Sequence, residues 1–168
     1  MTEKRVALIA ERNKDLELLA EEAQLLERFT VPYDLQRISA HLAPERMHAY
    51  ALGAQAEGIE VIIAAAQGAA HLAGAIASLT TLPVIGVPLE SSLSGLDSLF
   101  STVQMPAGIP VATMAIGRTG VRNACLFAVQ ILALHDCRLH EKIVRYRRKI
   151  EEEVIKKGEE LRKRDYTV

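Results

Sequence analysis

From Val61 onward the chain reads Val-Ile-Ile-Ala-Ala-Ala-Gln-Gly-Ala-Ala-His-Leu-Ala-Gly. The run begins apolar without alternation, as strands do when a parallel sheet is covered by helices on both faces. It passes into a loop of near-minimal side chains with one amide and one imidazole. Small residues let backbone N–H groups approach a ligand closely, particularly where a loop opens into a helix. A second passage of this kind, Ile38-Ser39-Ala40-His41, supplies another imidazole. Two such loops after strands direct the chain toward an α/β sandwich with a small-molecule site at one edge of its sheet.

The other segments keep the same alternation. Strands are predicted at Arg5–Ala10, Tyr33–Ile38, Val61–Ala65, Val84–Val87 (between Pro83 and Pro88) and Val111–Ile116. Helices are predicted at Asp15–Phe29, at Pro44–Glu57 with Pro in its first turn, from the third loop to about Leu79, and at Gly120–Leu134. The expected fold is a flavodoxin-like, doubly wound three-layer α/β sandwich around a five-stranded parallel sheet, occupying residues 1–137. Beyond about Asp136 the composition shifts. Arg138–Arg164 reads as a charged helix with more than half of the chain's 20 Lys and Arg, and a sparse apolar stripe through Leu139, Ile143, Tyr146, Ile150, Val154 and Leu161. Glutamates interleave with the basic residues, which disfavours a nucleic-acid arm. Residues 138–168 are therefore expected to project and pack on a neighbouring subunit.

Composition removes several function classes. A formal net charge of −1 provides no global field for nucleic acid or a membrane surface, and 4% aromatics with no Trp leaves little for base stacking. No apolar run is long enough to span a bilayer, and a strand is expected almost at the N-terminus, with no room for a signal peptide. Cys125 and Cys137 have neither metal-site spacing nor a disulfide pattern, and are read as reduced packing residues of a cytoplasmic protein.

Ligands of open parallel sheets bind beyond the carboxyl ends of the strands. Four unusual segments fall there: Glu11–Asp15, Ser39–Pro44, Gln67–Gly74 and Pro88–Gly95. Ser39 and His41 offer a hydroxyl and an imidazole, and Gln67 to Ala70 offer backbone donors. Asp15 offers a carboxylate suited to ribose-type hydroxyls, or else a helix cap. Glu90, Ser91, Ser92 and Ser94 would form a polar cover. The third strand ends in Ala64-Ala65-Ala66-Gln67, without the acidic cluster of a phosphoacceptor receiver. The chain also lacks the Thr/Ser-rich phosphate loops and stacking aromatics of a flavin binder. Arg118 and Arg122 are expected at the surface, Asp97 at a helix start or subunit contact, and His48, His135 and His140 without a role.

Several of these segments resemble one family. They are Ser-Ala-His at 39–41, Gly-Ala-Ala-His-Leu-Ala-Gly at 68–74, Leu-Pro-Val-Ile-Gly-Val-Pro at 82–88, and the run from Gly95 to Gly117 with Val-Gln-Met-Pro-Ala-Gly-Ile-Pro inside it. Together they resemble the PurE-type aminoimidazole ribonucleotide carboxylase/mutase family from about Val6 to His135. The class I mutases are nearer than the carbon-dioxide-using class II. The resemblance implies a flavodoxin-like subunit in a homo-octamer with shared active sites and no metal or organic cofactor. The reaction it implies moves a carboxylate from an exocyclic nitrogen to a carbon of the imidazole, by loss and recapture of carbon dioxide in a closed site. It makes His41 the proton shuttle and has Gly68, Ala69, Ala70, His71 and Leu72 cradle the substrate. Such chemistry calls for an imidazole that exchanges a proton near the working pH and walls that exclude water.

The ligand-facing loops depart from the family pattern. Gly-Ser-x-Ser-Asp becomes Glu11-Arg12-Asn13-Lys14-Asp15, the arginine after Ser-Ala-His becomes Leu42, and a glycine becomes Gln67. The loop at 89–94 is one residue shorter than in common members. Two explanations stand open. Arg12 or Lys14 replaces the missing cation beside Asp15 at a helix start, keeping phosphate recognition. Alternatively, Gln67 and Leu42 reshape the pocket for a different heterocyclic molecule.

Overall fold

The computed structural model describes residues 5–162. They divide into two compact units, one running through Ile131 and the other beginning at Leu132. The first unit holds a five-stranded sheet in which every pairing is parallel, in the order β2-β1-β3-β4-β5. The strands are β1 (Val6–Ala10), β2 (Tyr33–Arg37), β3 (Val61–Ala66), β4 (Val84–Pro88) and β5 (Ala112–Thr113). Between them run α1 (Asn13–Phe29), α2 (Pro44–Gly53), α3 (Leu72–Ala77) and α4 (Leu96–Val103), and α5 (Arg118–Leu132) follows β5. This is the predicted flavodoxin-like sandwich.

The apolar runs land where burial is most complete. Each residue of β1, β3 and β4 is buried. Val6 lies opposite Val61 and Ala10 opposite Ala65, so β1 and β3 form the sheet's centre. One face carries Ala7, Ile9, Ile62 and Ala64 against Met47 and Ala51 of α2 and Leu72 and Ile76 of α3. At Gly86 in β4 a Cβ would sit 2.5 Å from Thr102 Cγ2 and 2.9 Å from Val111 Cγ1, so hydrogen alone lets α4 close on the sheet. Glu22 of α1, itself buried, takes Arg118 at 2.8 Å and Arg122 at 3.0 Å and ties α1 to α5.

Element ends differ from expectation for local reasons. α2 stops at Gly53, and the chain turns through Gly58 at φ +89°, where Glu57 had been expected to be helical. β5 shrinks to two residues after Pro110, although Met114 N–H still donates to Gly86 C=O and Gly117 N–H to Pro88 C=O. α3 ends at Ala77 rather than Leu79, and α5 begins at Arg118 and ends at Leu132. In the second unit α6 (Cys137–Arg162) begins with the Asp136 carboxylate accepting the Leu139 N–H at 3.0 Å. Leu139 and Ile143 are buried, while Ile150, Val154 and Leu161 of the expected stripe are exposed. Lys163 and Arg164 of the predicted helix lie outside the described residues.

Burial pushes the Cys125 thiol up from an ordinary 9.0 to about 12, with the Glu22 carboxylate adding to the effect. The folded thiol then keeps a proton that the unfolded thiol gives up. Its contribution to stability is whole below pH 9 and is lost as the pH rises toward 12. Urea unfolding of the protein and of Cys125→Ala at pH 7.5 and pH 10.5 checks this. The stability advantage of Cys125 should shrink at the higher pH by about 2 kcal/mol.

Candidate active site

With β2 on one side of β1 and β3 on the other, the order of connection reverses at β1 and opens a crevice at its carboxyl end. Three loops meet there. Glu11 follows β1, the segment from Ile38 to Ala43 follows β2, and Gln67 to His71 follows β3. His41 Nε2 and His71 Nδ1 lie 3.2 Å apart, with ring centroids 5.3 Å apart and ring planes tilted by 49°. One nitrogen of this pair donates and the other accepts, so the two imidazoles share a proton position. Both rings are exposed, open to a ligand.

The loop carrying His41 is held from β1. Glu11 Oε1 accepts the Ala40 N–H at 2.9 Å and the Ser39 hydroxyl at 3.3 Å, and lies 3.7 Å from His41 Nδ1. Ser39 Oγ accepts the Leu42 N–H at 3.2 Å, and Leu42 itself stands 87% exposed. Ser39 and Ala40 are thus brought together with His41 and His71 as the sequence predicts. Glu11 belongs to the Glu11–Asp15 segment expected at this edge, where it departs from the family pattern; the sequence assigns it no role of its own, although an acid directly after a central strand is a signal in its own right.

The loop after β3 behaves differently from a free cradle of donors. Gly68, at φ +63°, gives its N–H to Ser98 Oγ at 2.8 Å, and Ser98 donates onward to Leu89 C=O at 2.7 Å. Ala70 N–H bonds Gly68 C=O, and His71 N–H bonds Ala69 C=O, both at 2.8 Å. Leu72 is fully buried among the core, so its side chain belongs to the fold. Gln67 and Gly68 are half-buried and Ala69 is exposed, facing outward from the sheet edge. Ser98, wholly buried on α4, was missed by sequence reasoning because a serine between Asp97 and Leu99 carries no pattern of its own. Next to it Asp97 is held below the usual carboxylate range by the Ser91 hydroxyl. Its Oδ2 stands 4.0 Å from where a side chain on Gly68 would begin.

Arg12 and Asp15 form the second cluster. Arg12 Nε and Nη2 reach Asp15 Oδ2 and Oδ1 at 2.7 and 2.6 Å, a two-pronged pair that raises the guanidinium pKa further. Asp15 is buried and spends its carboxylate on Arg12. It does not cap α1, whose cap residue is Arg12 without a side-chain cap bond. The pair borders a cavity of about 350 Å³ that Lys14, Leu89, Glu90 and Arg118 also line. Arg118 is exposed as expected, and it also binds Glu21 at 2.6 Å. Among the described residues no three His, Cys, Asp or Glu side chains converge as a metal site. No helix there is long and apolar enough to cross a membrane.

Residues 5–153 match the family model described as AIR carboxylase. The chain belongs to the AIR carboxylase family. It is 52% identical over 157 residues to the N5-carboxyaminoimidazole ribonucleotide mutase of Pyrococcus horikoshii, covering 93% of this chain and 88% of that one. To the protein of the same name from Escherichia coli K12 it is 46% identical over 152 residues, covering 90% of each. Among solved structures, PurE of Treponema denticola superposes with a TM-score of 0.85 over 94% of this chain and 98% of that one, at 23% identity. That last likeness establishes the fold. Within the family's fold, paired imidazoles and carboxylates at one sheet edge can carry protons and bind polar groups, as acid–base chemistry on a small molecule requires.

The Arg12–Asp15 pair gives a stability test. Arg12→Ala leaves a buried carboxylate without its guanidinium and should lower unfolding free energy by about 1–3 kcal/mol. The double variant Arg12→Ala/Asp15→Ala should recover part of that loss in urea titration.

Proposed function

We propose that this chain is an N5-carboxyaminoimidazole ribonucleotide mutase that moves a carboxylate from N5 to C4 of the imidazole in purine synthesis. The observation that carries the reading is the His41–His71 pair at 3.2 Å, at the sheet edge of a chain about half identical to proteins of that name.

The balance of the reaction suits one proton carrier. The N5–carboxyl carbon bond breaks, its electron pair stays on nitrogen, carbon dioxide is released, and N5 takes up a proton. C4 of the electron-rich ring then attacks carbon dioxide, the carbon–carbon bond forms, and C4 gives up its proton. One proton is gained and one lost. A single imidazole serves both steps, and that role falls to His41, with His71 beside it as the second station. Arg12, Asp15, Ser39, Ala40 and the loop from Gln67 to Leu72 line the substrate. Leu72 acts through its backbone, and the Glu90–Ser94 segment covers the site and keeps carbon dioxide in place.

The test is direct. Purified protein mixed with N5-carboxyaminoimidazole ribonucleotide should yield the C4-carboxylated isomer, and His41→Asn should lower kcat by about 10²–10⁴-fold. Conversion no faster than that of His41→Asn would end the reading.

A second reading draws on the Arg12–Asp15 pair. A guanidinium already held by a carboxylate on both prongs is less available to a phosphate, and position 42 holds an exposed leucine. A family member acting on, or only binding, a phosphate-free heterocycle fits this arrangement. Equal competition by the ribonucleoside and the ribonucleotide monophosphate would favour it, and strong preference for the monophosphate would remove it.

The assembly we propose is a cytoplasmic homo-octamer. Leu96, Phe100 and Val103 share an exposed face of α4, and Ile150, Val154 and Leu161 are exposed on α6, apolar area that subunit contacts would cover. Sedimentation equilibrium should return eight subunits per particle, and a monomer at micromolar concentration would contradict it.

A further inference from the structure

His41 sits on a turn closed by one backbone bond, from the Ala43 N–H to the Ser39 carbonyl at 3.2 Å. The residue before α2, Ala43, has φ −144° and ψ 60° with no side-chain cap bond. The His41 side chain is 51% exposed. Glu11, 23% exposed, supplies the restraint from the neighbouring strand. Its Oε1 accepts the N–H of Ala40, the residue directly before His41, together with the Ser39 hydroxyl. Ser39 Oγ in turn takes the N–H of Leu42, the residue directly after it. Arg37 Nε donates to the Glu11 carbonyl at 3.1 Å, fastening the same two strand ends a second time. The 3.7 Å between Glu11 Oε1 and His41 Nδ1 exceeds hydrogen-bond length, so Glu11 acts on the ring mainly through the backbone beside it.

We propose that Glu11 is a positioning residue for His41. Its carboxylate grips the turn from Ser39 to Leu42 against the end of β1, and so aims the His41 ring at His71 and at the substrate. The proposal rests on the reading of His41 as proton carrier. It identifies a role for a side chain that stands where the resemblance leads one to expect glycine.

Three variants separate reach from charge. Glu11→Gln keeps an oxygen that can accept the Ala40 N–H. Glu11→Asp keeps the charge but is one methylene too short. Glu11→Ala keeps neither. In the carboxylate-transfer assay Glu11→Ala and Glu11→Asp should lose about tenfold or more in kcat with KM within about twofold, and Glu11→Gln should stay within about threefold of the parent. Carbon-13 relaxation at His41 Cε1, measured without substrate, should show a more mobile ring in the Ala and Asp variants and an unchanged ring in Gln. Equal losses in Gln and Ala, a loss confined to KM, or an unchanged ring in Glu11→Ala would each overturn the proposal. If the parent protein converts no substrate, the reading of the reaction falls while the ring relaxation still decides the role of Glu11.

Discussion

The parallel pairing of β1 with β3, Val6 opposite Val61 through Ala10 opposite Ala65, is the constraint on which the rest of the molecule depends. Both strands are buried on both faces, so apolar burial holds them side by side within the sheet. Because β2 lies on one flank of β1 and β3 on the other, the chain must leave β1 in one direction and return in the other. That reversal parts the loops above the sheet. It brings Glu11, His41 and His71 from three separate stretches of sequence to one place.

Several polar groups of the first unit are matched inside it. Asp15 is matched by Arg12, Glu22 by Arg118 and Arg122, and the Ala40 N–H and Ser39 hydroxyl by Glu11. Pairing of this kind fixes side chains before a ligand arrives. It spares the ordering that a flexible site must supply on binding. It also means that a ligand bearing a charge has to compete with, or join, an existing pair.

The legible parts of the sequence were those where burial dictates residue type. The strands β1, β3 and β4 read as apolar runs because no polar residue is tolerated there, and their positions match expectation to within a residue or so. The helix α4 showed only its start, at Asp97, and its extent was not legible for the opposite reason. Its buried face holds Ser98 and Thr102, while Leu96, Phe100 and Val103 face outward, which inverts the usual amphipathic signature. β5 read too long because Val111–Ile116 is apolar, yet only Ala112 and Thr113 pair regularly with β4. Two short motifs were enough to place Ser39, Ala40, His41 and His71 at one sheet edge. The hydrogen bonds of Glu11 and Ser98 join residues 29 and 30 apart, a relation that no local pattern reveals.

The hydroxyl of Ser98 is a shared anchor, receiving the N–H of Gly68 from one loop and donating to the carbonyl of Leu89 at the root of another. Its consequence is that two loops far apart in sequence share one point of attachment. Replacing Ser98 would release the loop beneath the imidazoles and the root of the Leu89 loop together. The Ser91 hydroxyl, bonded to Asp97 beside Ser98, ties the second loop to α4 once more. One buried hydroxyl on α4 thus couples the exits of β3 and β4.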